Sequence, residues 1–386
     1  DTLKSAKQRE KLLANKEQAF LSRDLAAIRT DARLPYELEA FKRRPEDPQK
    51  LGRLFQELEF RQLQKDYPAE AEEKELPHPK RADLAIAEVM ASNILIWGAN
   101  YTFREDNYSF NIGWKTVEMN LRHGFEWDPN NFMTNFFAHP YHGSTYFNAA
   151  RTNGMNYWES IPFTFAGSMM WELYMESEFP SYNDLIATTW GGVALGEVLF
   201  RFSEQVLDDR SRGLERFGRE IAGTLINPVG AFNRLVRGDM FRHSSGINHL
   251  RYSTEGYLAS AGPGRLTASD MDITEFEPAV EMTLHYGQPF EENHHPFDYF
   301  TFRFWTSSTD TTRNMTILAR AVLLDKKILE SRRQQHRIGL FQYYDYIDQE
   351  SIKIGTISFG AAMLSRFSLG KGFTLLTGPS IGGILL

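Results

Sequence analysis

The sequence predicts an α+β protein with a helical N-terminal remnant, a helical middle region and a C-terminal antiparallel β meander or partial β-barrel. Three observations predict this order. An acidic, proline-bearing stretch ends near residue 76, and the composition changes sharply after it. Residues 130–240 carry apolar segments punctuated by glycine and proline, as consecutive helices do. After about residue 250, apolar and polar residues alternate, which is typical of strands.

The predicted boundaries follow these changes. Residues 1–70 form a helical remnant, residues 71–81 a linker, residues 82–250 a mainly helical region, and residues 251–386 an antiparallel β-rich region. The last residues fit the pattern of a strand, and an unclosed sheet edge is a liability. We therefore expect that the β-rich region is truncated at its C-terminal end.

The composition limits the classes of protein that fit. Hydrophobic residues make up 42% of the chain and charged residues 24%, which is enough for a sizeable core. The net charge of −7 gives no reason to expect a nucleic acid partner. Cysteine is absent, which excludes disulfides, thiolate metal sites and a cysteine nucleophile. No apolar run reaches the length of a transmembrane helix, because residues 185–202 are interrupted by Glu197 and Arg201.

The N-terminal block favours helices. Apolar residues recur there at roughly helical spacing, at Leu12, Ala19, Leu25 and Ile28. Ser22 or Asp24 is suited to cap a second helix, and residues 49–65 predict another one. Residues 7–32 and 34–60 resemble the C-terminal end of the 5′-nuclease domain of bacterial DNA polymerase I. In that family the metal-binding carboxylates lie upstream of the matching part, so the resemblance implies a helical remnant without nuclease activity.

The middle and C-terminal regions contain a series of helical and strand-like segments. A helix is predicted at residues 82–100. Further helices are predicted at residues 131–137, 144–152, 162–176, 183–207 and 214–235. Strands are predicted at residues 275–285, 299–305, 315–324, 339–346, 352–364 and 373–384. Aromatic residues, 13% of the chain, leave two interpretations of these strands open: a lipid-facing girdle or a packed core.

Residues 124–160, 165–209 and 212–239 together resemble a family of bacterial envelope proteins, the domain-of-unknown-function family 3943. The phrases that carry the resemblance include HPYHGSTYFNAARTNG and SYNDLIATTWGGVALGE. The resemblance implies a Gram-negative envelope location, a helical middle region and a β-barrel-like end. It implies no established activity and supplies no functional residues.

One set of residues predicts a site. His139 and His142 are spaced to lie near one face of a helix that Pro140 can start. Glu159, Glu172 and Glu176 follow on apolar segments, and Asp184 opens the next helix, where Ser181 or Asn183 is a suitable cap. Carboxyl groups among apolar residues are unfavourable unless they are paired, so we expect His139, His142, Glu172 and Asp184 to form a buried cluster.

The order of these residues is similar to that in VanZ-like membrane proteins. A histidine on a helix is followed by Trp171 and Glu172. A helix that Asp184 opens and two glycines end comes next. The pattern is imperfect here, because Thr188 and Gly191 stand where that family usually has Asn and Gly.

Three interpretations of the cluster remain open from the sequence. The residues could form a structural polar network, a general acid–base or lipid-headgroup site, or a metal site. We expect an envelope protein at the outer membrane or in the periplasm, with a structural or lipid-binding role. The alternative is an enzyme that acts on a lipid or cell-wall substrate. Membrane lipid is the expected partner, a small-molecule ligand remains open, and no cofactor is expected.

Overall fold

A computed structural model describes the chain at residues 10, 13–26, 51, 54–55, 80–103, 107–129, 131–209, 211–242, 254–261, 264–266, 273–276, 279–290, 295–308, 313–331, 333–370 and 373–386. The chain divides into two compact units, residues 1–73 and residues 74–386. In the first unit, helix α1 spans Lys16–Ala26. The predicted cap at Ser22 or Asp24 is wrong, because both residues lie inside α1. Most of the predicted helix at residues 49–65 and of the linker lies outside the described residues.

The second unit contains the helical region. Its α-helices are α2 Ala82–Phe103, α3 Trp114–His123, α4 His139–Thr152, α5 Tyr157–Tyr174, α6 Tyr182–Ile186, α7 Gly192–Val206, α8 Gly213–Ile226 and α9 Pro228–Arg237. Short 3-10 helices lie at Asn107–Phe110 and Asp239–Phe241. Two π-helical segments, Thr134–Ala138 and Ala187–Gly191, run directly into α4 and α7.

Local sequence explains where several helices begin. The predicted start of α5 at Pro162 is wrong, because Asn156 caps the helix at Tyr157 through a capping box with Glu159. Ser181 caps α6 by accepting a hydrogen bond from the Asp184 N–H, as predicted. The segment predicted as one helix at residues 214–235 is two helices, because Asn227 ends α8 and caps α9.

The C-terminal region forms an antiparallel sheet, and the predicted meander or partial barrel is confirmed. The strands are β1 Thr254–Ala261, β2 Gly264–Leu266, β3 Ile273–Phe276, β4 Ala279–Tyr286, β5 Phe300–Ser308, β6 Arg313–Glu330, β7 Gln334–Gln349, β8 Ile352–Gly370, β9 Phe373–Thr377 and β10 Ser380–Ile384. The main sheet has the order β1-β4-β5-β6-β7-β8-β10, with β9 also paired to β8, and it curves into a half-barrel. Strands β2 and β3 form a separate pair.

One face of the sheet packs against the helices. The shared core contains helical residues such as Phe147, Val193 and Val198 and strand residues such as Phe300 and Tyr344. The aromatic side chains of Phe300, Phe302, Tyr344 and Tyr346 on β5 and β7 therefore belong to a packed core on this face. Hydrogen bonds join the layers as well: the Tyr157 hydroxyl donates to Gln342 Oε1 over 2.8 Å, and Gln342 Nε2 donates to Trp190 O over 2.9 Å.

The opposite face of the sheet carries charged side chains. Arg303 on β5 pairs with Glu281 on β4 over 2.8 Å. Arg320 on β6 lies 4.0 Å from Asp345 on β7. Side chains on one strand point alternately to the two faces, so these residues lie on the face opposite Phe302 and Tyr344. This face is mixed in polarity, because the apolar side chains of Val322 and Phe341 also lie on it.

Glycine allows helices α4 and α7 to approach closely. A Cβ atom added to Gly192 would lie 2.6 Å from Gly143 Cα. A Cβ atom added to Gly196 would lie 2.9 Å from the Phe147 ring. The backbone contact between Gly143 and Gly192 holds the two helices together at the level of the predicted site.

Two helical runs among the described residues are long and apolar enough to cross a membrane by length and composition, although each contains charged residues such as Glu88 and Glu197. The run Tyr182–Val206 is 72% buried within the protein, as a core helix is. The run Ala82–Phe103 is only 17% buried. Helix α2 therefore presents most of its apolar surface to the outside.

Candidate functional site

His139 and Asp184 come together at the junctions of two π-helical segments. His139 follows Thr134–Ala138, and its Nε2 atom lies 3.5 Å from Asp184 Oδ1. Its Nδ1 atom lies 3.1 Å from the Thr188 hydroxyl in Ala187–Gly191. A π turn adds a residue to the helix and shifts the side chains that follow it. The two shifts place His139 between a carboxylate and a hydroxyl.

A capped helix start fixes the position of Asp184. The Asp184 N–H donates to Ser181 Oγ over 3.1 Å, and Asn183 Nδ2 donates to Asp184 Oδ1 over 3.0 Å. The Asn183 amide also exchanges two hydrogen bonds with the Asp128 backbone. The Ser181 N–H donates to Glu172 Oε2 over 2.9 Å, which ties the α6 cap to helix α5.

His142 belongs to a second group of contacts, one turn along α4. Its Nε2 atom lies 2.6 Å from the Tyr146 hydroxyl, which donates in turn to Asn93 Oδ1 on α2. Asn93 Nδ2 donates to Gly167 O on α5 over 3.2 Å. The His142 ring also packs edge-on against Trp171, with 4.7 Å between the ring centroids. This chain of contacts joins α2, α4 and α5.

Glu172 is buried with one oxygen unpaired. Its side chain has no exposed surface, and Oε1 has no hydrogen-bond partner among the described residues. Asn120 Oδ1 is also buried without a partner, although Asn120 Nδ2 donates to Glu176 O over 3.2 Å. Unpaired buried oxygens are unfavourable, and a neutral carboxyl reduces that penalty.

Burial sets the protonation of these groups. Burial and the nearby His139 lower the pKa of His142 to about 3, so its ring is neutral near pH 7. Burial also lowers the pKa of His139, although Asp184 opposes the shift. Burial and the neighbouring Asp184 raise the pKa of Glu172 well above its usual range. The pKa of Glu176 rises as well, through burial and then Glu172.

The structure places the four predicted residues in two groups. His139 and Asp184 are in direct contact, Glu172 is tied to the cap of Asp184, and His142 contacts Tyr146 instead of a carboxylate. Glu159 is not part of the site, because it lies at the exposed start of α5 and pairs with Lys80. A neutral His beside a carboxylate is suited to proton transfer, but it needs a substrate within reach.

Nothing described in the structure opens a path to these groups. Two surface pockets lie elsewhere, one beside β10 and the other between α3 and Phe179. Within the described residues, no group of three or more His, Asp or Glu side chains is placed to hold a metal ion. The metal interpretation therefore has no support from the geometry, and the structural-network interpretation has the most.

A second buried network, which was not predicted from the sequence, joins the helices to the sheet. Glu197 on α7 accepts from Arg151 Nε and Arg201 Nε, each over 2.7 Å. Arg201 also donates to Asp298 Oδ1 over 3.1 Å and to Pro296 O over 2.7 Å, both in the segment before β5. The two guanidiniums keep the pKa of Glu197 low although burial alone would raise it. The signal was present as a Glu and an Arg four residues apart within an apolar run.

Comparison with known proteins gives two findings. Residues 124–229, which include α4 to α8, match the family described as Domain of unknown function (DUF3943). A separate part of the chain is 41% identical over 63 residues to DNA polymerase I of two strains of Streptococcus pneumoniae, TIGR4 and R6. That match covers 16% of this chain and only 7% of each polymerase. No solved structure matches the chain. The resemblances to family 3943 and to bacterial DNA polymerase I that were predicted from the sequence are confirmed.

Proposed function

We propose that residues 74–386 form a bacterial envelope protein with a structural or lipid-binding role, attached to the outer membrane through the apolar surface of its helical region. The observation that carries the proposal is a reversal of polarity in the outer helices. Several of their charged and amide side chains, among them Glu88, Asn93 and Arg216, face the protein, and many of their large apolar side chains face outward. A helix that contacts lipid has this arrangement.

Helix α8 shows the reversal most clearly. Leu214, Phe217, Ile221 and Leu225 recur at intervals of three and four residues and form one stripe. All four are exposed, Leu214 by 88% and Leu225 by 78%. This stripe, named the α8 stripe, has no protein partner among the described residues that would cover it.

Two of the charged residues of α8, Arg216 and Glu220, face the protein. Arg216 pairs with Asp209 over 3.1 Å and with Glu220 over 2.9 Å. Arg234 on α9 pairs with the same two carboxylates, over 2.7 Å and 2.9 Å. Ion pairs hold α8 in place while its apolar residues remain outside. An amphipathic helix that packs on a water-exposed protein has the opposite orientation.

Helix α2 also directs polar side chains toward the protein and apolar side chains outward. It contacts α4 and α5 through a narrow line of Ala85, Val89 and Asn93. Glu88 also faces the protein and accepts from Asn153 and Asn233, each over 3.0 Å. The outward side chains are apolar and include Ile86, Met90, Ile94 and Leu95.

The amount of exposed apolar surface favours a lipid partner. Burial of a large apolar side chain contributes about 1.5–3 kcal/mol, so even half-burial of the α8 stripe contributes several kcal/mol. Exposed apolar patches on water-facing proteins rarely exceed a few hundred Å².

Cell fractionation tests this proposal. The full chain is expressed behind an export signal in a Gram-negative host, and its membranes are washed with alkali. Retention in the outer membrane supports the proposal, and comparison of boiled with unboiled gel mobility then reports whether the sheet closes into a barrel. Release of the folded protein into the periplasm contradicts it.

An enzyme that acts on a lipid or cell-wall substrate is the alternative. Two observations favour it: the unpaired Glu172 oxygen and the two π-helical segments that bring His139 and Asp184 together. The His142→Ala variant separates the two functions. An enzyme loses its cellular effect while its stability is nearly unchanged, whereas a structural network loses stability.

A further inference from the structure

One end of the helical region carries a group of exposed aromatic side chains. Helices α2 and α5 run side by side in the same direction, because Lys80 pairs with Glu159 near their starts and Asn93 donates to Gly167 O near their middles. Their C-terminal ends therefore lie at the same end of the region. We name it the aromatic end, and its exposed aromatic residues are Tyr101, Phe103, Trp114, Trp127, Tyr174 and Tyr182.

Contacts place the two most exposed tryptophans at the aromatic end. Phe110 packs against Trp171 near the C-terminal end of α5, and Trp114 begins helix α3 four residues after Phe110. The Trp127 ring lies 6.5 Å from the Tyr182 ring, measured between centroids. Tyr182 begins helix α6, whose cap is hydrogen-bonded to α5. Both tryptophans therefore lie beside the last turn of α5.

Trp114 and Trp127 have surroundings that suit an indole poorly in water. Trp114 is 89% exposed and Trp127 is 63% exposed. Neither indole N–H donates a hydrogen bond within the part of the chain that the structure describes. Trp97 and Trp171, at the same end, each donate theirs to a protein oxygen. An indole combines a large apolar ring with one donor, and the headgroup region of a bilayer supplies both apolar contact and acceptors.

A groove on α3, next to these tryptophans, combines charged and apolar side chains. It has a volume of about 490 Å³, and its lining includes Lys115, Met119 and Phe179 together with the exposed Glu118–Arg122 ion pair. A lysine at a bilayer surface directs its ammonium group to the lipid phosphates while its methylene groups contact apolar surface. The groove therefore has the mixed chemistry of a surface that meets phospholipid headgroups.

From this arrangement we propose that the aromatic end lies at the level of the phospholipid headgroups, with Trp114 and Trp127 as its anchors and the α3 groove facing the lipid phosphates. The inference rests on the proposed function, because it requires the protein to be bound to a bilayer, and it adds which part of the protein meets the headgroups. Ile94 and Leu95, the exposed apolar residues of α2 nearest this end, are then positioned to contact acyl chains.

Depth measurements on vesicle-bound protein test the inference. The natural chain has no cysteine, so Trp114→Cys, Trp127→Cys and the control Lys326→Cys each accept one environment-sensitive fluorophore. Lys326 is exposed on strand β6. The vesicles are phosphatidylcholine with bromine atoms at a shallow or at a deep acyl position. On binding, the probes at 114 and 127 should shift their emission to the blue and be quenched at least twice as strongly by shallow as by deep bromines. The probe at 326 should change little.

Vesicle affinity gives a second readout. Trp114→Ser should lower the affinity for phosphatidylcholine vesicles at least threefold, because it removes an anchor that is almost free of protein contacts. Trp158→Ser is the matched control, because Trp158 is also exposed, by 45%, but lies at the opposite end of α5, and its affinity should equal that of wild type.

The outcomes separate this inference from the proposed function. If wild-type protein floats with the vesicles while the probes at 114 and 127 stay in water, the inference is overturned and lipid binding stands. Equal depth at 114, 127 and 326 also overturns it, because the aromatic end is then not the part that meets the headgroups. If wild-type protein does not float, both proposals are overturned.

Discussion

Arg201 on helix α7 donates a hydrogen bond to Asp298, which lies 97 residues later in the segment before strand β5, over 3.1 Å. Both side chains are almost fully buried. Arg201 also neutralises Glu197, so one guanidinium is shared by a helix and the sheet. Removal of a buried charge leaves the charges of its partners buried without compensation. The resulting loss of stability is larger than the stabilisation gained when the pair forms.

The Arg201→Met variant is therefore expected to lower the free energy of unfolding by about 3–5 kcal/mol. Arg219→Met is the control, because Arg219 pairs with Glu215 at the surface and its loss should be below about 1 kcal/mol. Urea unfolding followed by tryptophan fluorescence measures both. Similar small losses for the two variants would contradict a structural role for the network.

Glu172 should make the protein less stable as the pH rises. Its pKa is raised in the folded state by burial and then by Asp184, so the folded protein keeps the proton that the unfolded chain releases above about pH 4.3. The contribution of Glu172 to stability is complete below that pH and is lost toward its raised pKa, by about 1.4 kcal/mol per pH unit. Glu172→Gln should remove this slope and be the more stable protein at pH 8. Thermal melts from pH 4 to pH 9 measure it, with Glu118→Gln on the surface of α3 as the control.

His142 should make the protein less stable as the pH falls. Its pKa is lowered to about 3 by burial and then by His139. Below about pH 6.5 the unfolded chain therefore binds a proton that the folded protein does not bind. The contribution of His142 to stability is complete above that pH and is lost as the pH falls toward 3. His142→Gln should flatten this part of the profile, whereas the exposed His123→Gln should not. An unchanged acid slope in His142→Gln would show that other groups cause it.

The α8 stripe should control membrane binding. Replacement of Leu214, Phe217 and Leu225 together by Ser removes apolar groups that touch no charged partner, so the fold should persist while the affinity for lipid vesicles falls at least tenfold. The matched control replaces Leu324 and Ile338, which are exposed on strands β6 and β7, by Ser. Co-flotation with vesicles measures binding. If the control variant loses as much binding as the stripe variant, the sheet carries the lipid contact instead.

The contact between Gly143 and Gly192 should be intolerant of a methyl group. Gly192→Ala places a Cβ atom 2.6 Å from Gly143 Cα, and because backbone cannot move aside easily, we expect a loss of about 1–3 kcal/mol or more. Gly98→Ala on α2 meets no atom within 4 Å and should stabilise its helix by about 0.5–1 kcal/mol. Urea unfolding distinguishes a loss from a gain. Equal effects would contradict the close helix approach.

The order of helices and strands could be predicted because the spacing of apolar residues in each segment depends only on the sequence of that segment. The extent of β6, β7 and β8 could not, because their ends, such as Lys326 and Arg337, are charged and look like turns in the sequence. Arg337 is nevertheless buried against Asp325 on the neighbouring strand. Pairing along the strand keeps it extended where local preference alone would end it.

The candidate site was predicted only in part. Residue type and spacing identified His139 and Asp184, but the π-helical segments that join them depend on packing between helices. The spacing of apolar residues on an amphipathic helix also does not show which face of the helix packs against the protein. The apolar stripe of α8 is visible in the sequence, yet only the ion pairs of Arg216 and Arg234 show that its charged face is the buried one.

The strand order of the main sheet has a consequence for assembly. From β4 to β8 each strand pairs with the next one along the chain, so the sheet can grow hairpin by hairpin without long loop closures. The Arg201 network is different, because Arg201 and Asp298 are 97 residues apart in the sequence. Until the β4–β5 hairpin docks, that guanidinium has only its helical partner. Helix–sheet docking therefore closes a longer loop than the pairing of neighbouring strands does, at a greater entropic cost.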